Sequence, residues 1–286
     1  MVDLAARPAG TVHSADGVPI AYWVFGTGPA LVLVHGTTSD HTTFNELVPY
    51  LATTRTVITF DRRGRGASGD ASTPYEVERE LEDAAAVTEE TAKRESGPVD
   101  VLSHSFGAFL ALGAATRTTA VRALVAYSPG FGAEYPPGAL ARIESATASD
   151  DLDTALQVVF REIIGMPDSE IQFMRGSPVW QVRVAAAGTV ARECRADEAF
   201  LRQYGTRLAA LQMPVLVVSG ATNTAPKRQI ATDLAQLLPH ARLVDMPAEG
   251  HAAHHTAPAE LAKITLRFFD EQSAEGQEPA TATGRD

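Results

Sequence analysis

The chain has 286 residues and a formal net charge of −11, from 24 basic and 35 acidic side chains. Hydrophobic residues make up 45% and charged residues 21% of the sequence, which is typical of a globular protein with a sizeable core. The acidic excess disfavours nucleic acid or an anionic membrane as a partner, because their phosphates would be repelled. The first residues lack a signal-peptide pattern, no apolar run is long enough for a membrane span, and the single cysteine fits a reducing compartment. We therefore expect a cytoplasmic protein that acts on a small molecule.

Strand-like apolar runs recur along the chain and alternate with helical segments. The predicted strands are Val18–Phe25, Ala30–Val34, Thr56–Phe60, Val99–Leu102, Ala123–Tyr127, Val215–Ser219 and Arg242–Met246. Continuous apolar runs of this kind are typical of a parallel sheet that is covered on both faces. The clearest predicted helix is Pro258–Asp270, in which one apolar stripe contains Leu261, Ile264, Phe268 and Phe269. The alternation predicts an α/β fold with a doubly wound, mostly parallel sheet.

The alternation stops between residues 131 and 206, where only helices are predicted, with Asp151 or Asp153 as a cap. We expect this insertion to be a helical lid over an active site, although a helical subdomain without a gating role would give the same pattern. The core would then comprise residues 1–130 and 207–271. Residues 272–286 are small, polar and aperiodic, which predicts a disordered tail.

A serine follows one predicted strand and directly precedes a helix, in the segment Ser103-His104-Ser105-Phe106-Gly107. A serine at such a corner is pushed out of the sheet, and the N–H groups after it point toward an oxyanion. The usual pattern is G-x-S-x-G, so Ser103 occupies the slot of the first glycine. This context predicts Ser105 as a nucleophile, whereas a merely structural turn is the alternative. The Ser103 hydroxyl would either satisfy nearby backbone or reach toward the catalytic pair.

Two further segments could complete a serine-dependent site. His35-Gly36-Thr37 follows an apolar strand, and the Thr37 N–H together with the Phe106 N–H could form an oxyanion hole. The alternative is an ordinary turn at the end of a strand. Gly250-His251 follows the last strand, where a general base would be expected in the order serine, acid, histidine.

Metal and nucleotide chemistry are disfavoured by spacing. His254 and His255 follow the predicted base, but neither an HExxH spacing nor a carboxylate partner accompanies them. The segment Gly64–Gly69 matches G-x-G-x-x-G, but Asp70–Pro74 intervenes before any helix can start. We therefore predict no cofactor and no metal site.

Taken in order, these pieces resemble the α/β-hydrolase superfamily, and they are most similar to its soluble actinobacterial-type members. The shared motifs are His35-Gly36, the run from Asp61 to Ser68, Ser103–Gly107 and Gly250-His251. The resemblance spans nearly all of residues 11–270 and is loosest in the lid. It implies a nucleophile at Ser105, a base at His251, and acyl transfer from an ester, thioester, lactone or amide.

The triad acid departs from the pattern of that family. The acid usually follows the strand predicted at Val215–Ser219, where this chain has Asn223, or the preceding core strand, where it has Ser128. Both positions are therefore neutral, although the Asn223 carbonyl could accept a hydrogen bond from the histidine. Glu134, at the start of the lid, is the first candidate for a substitute acid, and a solvated surface carboxylate is the alternative.

The leading functional hypothesis is hydrolysis of a small carboxylic ester, lactone or thioester through a Ser105 acyl-enzyme, an ester-bond hydrolase of class EC 3.1. A second hypothesis is a cyclase, lyase or isomerase of specialised metabolism, in which Ser105 donates a hydrogen bond and His251 shuttles a proton. A third is a ligand-binding protein without turnover. The apolar side chains of the lid indicate an apolar substrate. Substrate contacts are expected from residues beside these groups and in the lid, namely His35, Gly36, His104, Tyr127 and Trp180.

Overall fold

The computed structural model of the chain describes residues 7–71, 74–130, 135–176 and 178–275. The strands are β1 Gly10–His13, β2 Pro19–Phe25, β3 Ala30–Val34, β4 Thr56–Phe60, β5 Val99–His104, β6 Val121–Tyr127, β7 Val215–Gly220 and β8 Ala241–Met246. The α-helices are α1 Val48–Leu51, α2 Val77–Glu95, α3 Phe106–Ala115, α4 Ala139–Ala148, α5 Leu152–Val158, α6 Asp168–Arg175, α7 Pro178–Ala186, α8 Val190–Leu208, α9 Ala225–Leu237, α10 Ala253–Thr256 and α11 Pro258–Glu275. Shorter helical turns are His41–Phe44, Ala187–Thr189 and the π-helical segment Val159–Ile164.

The strands form one eight-stranded sheet in the order β1-β2-β4-β3-β5-β6-β7-β8. The pairs β1–β2 and β2–β4 are antiparallel, and every other neighbouring pair is parallel. The predicted doubly wound, mostly parallel sheet is confirmed. β1 was not predicted, because its four residues Gly10–His13 alternate between partly buried and exposed positions and contain one large apolar side chain.

Both faces of the sheet are covered, as its apolar strands require. In β3, Val32 and Val34 belong to the core on one face, which α2 and α3 cover at this strand and α9 covers at β7 and β8. Leu31 and Leu33 pack on the opposite face, against α1 and α11. Because successive side chains of a strand point to opposite faces, an unbroken apolar run buries both sides. Because β3 to β8 are parallel, their carboxyl ends lie at the same edge of the sheet, where the loops that follow them come close together.

The insertion between β6 and β7 is helical, and it contains a hydrophobic core of its own around Leu156, Phe160 and Trp180. Asp151 caps α5 by accepting a hydrogen bond from the Thr154 N–H at 3.2 Å. Helix α8 ends at Leu208, so the helical segment runs two residues past the predicted limit at 206. Its predicted first residues, 131–134, lie outside the described residues.

The C-terminal helix is longer than the sequence analysis predicted. α11 continues through Glu275, so residues 272–275, assigned to a disordered tail, are helical. Ser273 Oγ donates to the Phe269 carbonyl at 2.9 Å in this last turn. A helix already anchored by buried Phe268 and Phe269 adds polar residues at little cost, because each extends the existing hydrogen-bond ladder. The described helices include none that is long and apolar enough to span a membrane.

Candidate active site

Ser105 stands alone between a strand and a helix. β5 ends at His104 and α3 begins at Phe106, which leaves Ser105 with φ 54° and ψ −125°. A non-glycine residue in such a conformation costs about 1–3 kcal/mol and persists only where its surroundings enforce it. The enforcing contacts include a hydrogen bond of 3.1 Å from the Ser105 N–H to the Tyr127 carbonyl. The strained turn places Ser105 on the wall of a cavity.

Two glycines allow the backbone to pack closely around this turn. A Cβ on Gly107 would lie 2.2 Å from the Val34 carbonyl oxygen, and a Cβ on Gly36 would lie 2.9 Å from the Ser105 Cβ. Ser103, in the slot of the other family glycine, is fully buried, and its Oγ donates to the Val125 carbonyl at 3.0 Å. Of the two alternatives for the Ser103 hydroxyl, the structure therefore shows the bond to neighbouring backbone.

The peptide between Gly36 and Thr37 is held in a fixed direction. The Gly36 carbonyl accepts hydrogen bonds from Arg62 Nη1 at 2.9 Å and from His35 Nδ1 at 3.0 Å. Because the carbonyl and the next N–H of a trans peptide point in opposite directions, these bonds also aim the Thr37 N–H. The Phe106 N–H begins α3 and so has no partner within that helix. Thr37 and Phe106 both line the cavity with Ser105, as an oxyanion hole would require.

The loop that carries His251 is fastened against the elbow by two side chains. Tyr127 Oη donates to the Gly250 carbonyl at 2.6 Å and accepts from the Ala253 N–H at 2.7 Å. His104, the residue directly before Ser105, donates from its Nε2 to the His251 carbonyl at 2.9 Å. The hydrogen bonds among the described residues include none between Ser105 and His251. Catalytic contacts of this type often tighten only when substrate binds.

The partner of His251 Nδ1 is a hydroxyl. Ser128 Oγ lies 2.7 Å from His251 Nδ1, and Asn223 Nδ2 donates to Ser128 Oγ at 3.3 Å. The two neutral positions thus form one chain, Asn223–Ser128–His251. Asn223 and Ser128 were both candidates from the sequence to orient His251, and it is Ser128 that lies at Nδ1, with Asn223 bonded to Ser128. Glu134, the first candidate for a substitute acid, lies outside the described residues.

The electrostatic environment of His251 keeps its imidazole neutral. Burial lowers the pKa of His251 well below 6.5, and the positive charge of Lys227, the His104 ring and the Arg183 guanidinium lower it further. None of the groups that act on this pKa among the described residues is a carboxylate. The neutral imidazole is the form that accepts a proton, but the lowered pKa makes His251 a weaker base, and no described carboxylate holds its tautomer.

A cavity of about 300 Å³ opens beside the serine. Its wall near the elbow is formed by Thr37, Ser105 and Phe106. The inserted segment contributes apolar side chains together with the ionisable residues Tyr135, Glu162, Glu193, Cys194 and Asp197. The start of α9 contributes Thr224, Pro226, Lys227 and Ile230. The cavity is therefore partly apolar, as the sequence indicated, but it also carries charge.

None of the five predicted substrate contacts lines this cavity. His35 is fully buried, and its Nε2 accepts from the Arg62 N–H at 3.3 Å. Trp180 lies in the core of the insertion, where its Nε1 donates to Asp153 at 2.9 Å. Tyr127 and His104 hold the His251 loop as described. Gly36 has no side chain, and a Cβ added there would lie 2.9 Å from the Ser105 Cβ.

The sequence analysis missed Arg62 and Glu193. Both side chains are fully buried and lie 3.3 Å apart, and Arg65 also pairs with Glu193. Burial opposes ionisation of Glu193, but the two guanidinium charges outweigh it and lower its pKa. Arg62 thereby links helix α8 to the peptide that ends in Thr37. The sequence motif Asp61-Arg62-Arg63-Gly64 identified the turn that contains Arg62. Its pairing with Glu193 could not be predicted, because the two residues are 131 positions apart.

One group of possible metal ligands, Asp40, His41 and Asp61, was found among the described residues. Its carboxylates already act as hydrogen-bond acceptors for the local fold. Asp61 accepts from the His41 N–H at 2.8 Å and from the Ala67 N–H at 2.7 Å. Asp40 caps the turn that follows it. These contacts brace two loops, and none of the three residues lines the cavity beside Ser105.

The chain belongs to the alpha/beta hydrolase family, whose sequence profile matches residues 31–264. An alpha/beta hydrolase from Sphaerobacter thermophilus is 33% identical with a TM-score of 0.80, over 91% of this chain and 99% of that one. A 2-(acetamidomethylene)succinate hydrolase from Mesorhizobium japonicum is 25% identical over 86% of this chain and 89% of its own length. An enol-lactonase from Burkholderia xenovorans shares the fold, with a TM-score of 0.73 and 18% identity over 91% of this chain and 99% of that one.

Proposed function

We propose that this protein hydrolyses a small carboxylic ester, lactone or thioester through an acyl-enzyme on Ser105. The placement of Ser105 carries the proposal: it occupies a strained turn on a cavity wall, and the residue before it binds the His251 loop. Family membership and the hydrolase relatives support the same class of reaction. A cavity of about 300 Å³ favours a small substrate.

In the proposed reaction, the Ser105 oxygen attacks the carbonyl carbon while its proton passes to Nε2 of His251. The carbonyl oxygen becomes an oxyanion, which the N–H groups of Thr37 and Phe106 would stabilise. When the intermediate collapses, the bond to the leaving oxygen or sulfur breaks, and His251 returns the proton to that atom. Water then attacks the acyl-enzyme with His251 as base, which releases the carboxylic acid and restores the serine.

The inserted helices supply the remaining wall of the proposed site. Val159, the stretch 162–165 and three residues of α8 line the cavity, so substrate would be enclosed between the sheet edge and the insertion. Enclosure strengthens the hydrogen bonds to an oxyanion, because water no longer competes for the donors. This arrangement supports the proposed role of the insertion as a lid.

A second candidate function is favoured by the neutral partner of His251. Replacing the triad acid by an amide in a serine protease costs about 10⁴ in rate, or roughly 5 kcal/mol. A reaction that needs only a proton shuttle would depend less on that charge. The second candidate is therefore a non-hydrolytic rearrangement, in which Ser105 donates a hydrogen bond and His251 moves a proton.

The test is hydrolysis of a panel of 4-nitrophenyl esters and lactones in water enriched in ¹⁸O. Hydrolysis places one solvent oxygen in the product acid, and we expect its rate to fall to background in Ser105→Ala and in His251→Ala. The exposed residues Ser145 and His240 provide matched controls, since Ser145→Ala and His240→Ala should retain the rate. Products without ¹⁸O, or turnover that persists in Ser105→Ala, would overturn the proposal.

A further inference from the structure

Lys227 lies on the wall of the cavity that contains Ser105 and has no ion-pair partner among the described residues. It lies in the first turn of α9 and lines the cavity together with Thr224 and Ile230. Of the chain's lysines, Lys263 has an ion-pair partner in Glu260 at 3.7 Å. No described carboxylate lies within ion-pair distance of the Lys227 ammonium, and no described hydrogen bond uses it.

The acidic groups of the same cavity already have partners. Glu193 pairs with Arg62 and Arg65, and Glu162 pairs with Arg142. Asp197 Oδ2 accepts a hydrogen bond from Tyr135 Oη at 2.6 Å. The charge of Asp197 acts on Lys227 across the cavity and raises its pKa, but burial has the larger effect and lowers that pKa to about 8. A cation in this position is costly unless a ligand brings a negative charge to it.

The position of Lys227 adds two features that favour an anion. It is the third residue of a 13-residue helix, and Thr224 and Pro226 at the start of that helix also line the cavity, so the partial positive charge of the helix N-terminus lies beside it. Its own positive charge also acts on His251 and lowers the pKa of that imidazole. A negative group beside Lys227 would therefore offset a charge that now disfavours proton transfer to His251.

We propose that Lys227 binds a carboxylate of the substrate, so that the enzyme acts on esters or lactones that carry a free carboxylate near the scissile bond. The inference rests on the proposed function, because it assigns a substrate class to the Ser105 cavity. The bound carboxylate places negative charge in a site whose histidine has only a hydroxyl partner. Substrate would thus supply part of the electrostatic stabilisation that a triad acid provides in other serine hydrolases.

The test compares 4-nitrophenyl hydrogen succinate with its neutral isostere, 4-nitrophenyl 4-methylpentanoate. We expect the wild-type kcat/KM to be at least tenfold higher for the succinate ester. Lys227→Met should reduce this ratio to about 1, because it keeps the chain length and removes the charge. Lys227→Arg should keep most of the preference. Lys263→Met is the matched control, since Lys263 is exposed on α11 and should not affect the ratio.

A binding measurement separates this inference from the proposed hydrolysis. In the Ser105→Ala background, calorimetry with monomethyl succinate should give a Kd that Lys227→Met weakens at least tenfold. An unchanged Kd would overturn the carboxylate site, whether or not the enzyme hydrolyses esters. Ser105-dependent hydrolysis with no succinate preference would likewise overturn it and leave the proposed function standing. Binding that depends on Lys227 without any hydrolysis would support the site and contradict the acyl-enzyme.

Discussion

The hydroxyl of Ser128 lies 2.7 Å from Nδ1 of His251, where a triad acid would hold the imidazole. A carboxylate only accepts hydrogen bonds, so it keeps Nδ1 protonated and leaves Nε2 free to act as a base. A hydroxyl both donates and accepts, so Ser128 orients the ring without selecting that tautomer. Among the described residues, the partner of Nδ1 thus lies where a triad acid would lie, but it carries no charge.

Ser128→Asp should restore that charge and accelerate generic ester hydrolysis. Ser128 has φ 44°, a conformation that aspartate tolerates better than most residues. We expect kcat for 4-nitrophenyl acetate to rise at least tenfold, a part of the roughly 10⁴ that the acid contributes in serine proteases. The neutral isostere Ser128→Asn is the control. Equal rates in the two variants would show that charge at this position has no effect.

Asn223→Asp should give a smaller gain, because its charge would reach His251 through Ser128. The new carboxylate would accept a hydrogen bond from the Ser128 hydroxyl. The Ser128 oxygen would then accept a hydrogen bond from Nδ1–H of His251. We expect kcat to rise by about two- to tenfold, as for one improved hydrogen bond. Asn45→Asp is the matched control, because it makes the same change of charge at an exposed residue away from the site. A larger gain for Asn223→Asp than for Ser128→Asp would contradict the order of contacts.

The hydrogen-bonded series Asn223–Ser128–His251 could be predicted from the sequence only in part. Both family acid positions were identified from motifs, but their mutual contact was not. Ser128 and His251 are 123 positions apart, and Ser128 and Asn223 are 95 positions apart. Which of two polar side chains on separate loops reaches the histidine depends on loop conformation, including the positive φ of Ser128. The position of Lys227 in the cavity wall could not be predicted either, because a single lysine in a helix is usually exposed to solvent.

Gly107→Ala should disrupt the elbow. The added Cβ would meet the Val34 carbonyl oxygen at 2.2 Å, so β3 or α3 would have to move. We expect a loss of roughly 2–3 kcal/mol of folding stability, measured by urea unfolding, together with loss of Ser105 reactivity. Gly97→Ala is the control, since nothing lies within 4 Å of a Cβ there. Equal stability of the two variants would contradict the close packing inferred at the elbow.

The fold was more predictable than the site, because it depends on patterns that repeat along the chain. Apolar runs located β3 and β4 to the residue, since strands buried on both faces leave a continuous signal. β1 was missed because a short edge strand buries little. The end of α11 was predicted too early, because its last polar residues are helical through the ladder they extend.

The pH dependence of hydrolysis should reflect the lowered pKa of His251. Burial, Lys227, His104 and Arg183 all favour the neutral imidazole, so protonation requires a more acidic solution. For a neutral ester, kcat/KM should still be at its plateau at pH 6.5, the ordinary pKa of an imidazole, and fall only in more acidic solution. Ser128→Asp should move this acidic limb upward, since a carboxylate raises the pKa of an adjacent imidazole. A wild-type limb near pH 7 would contradict the electrostatic description.

Nucleophilic catalysis by Ser105 is tested most directly by covalent labelling with a fluorophosphonate probe, followed by peptide mass spectrometry. We expect one labelled serine, Ser105, with labelling abolished in Ser105→Ala and strongly slowed in His251→Ala while both variants keep the wild-type melting temperature. Labelling that persists in Ser105→Ala, or a wild-type protein that binds substrate but never reacts with the probe, would contradict nucleophilic catalysis by Ser105.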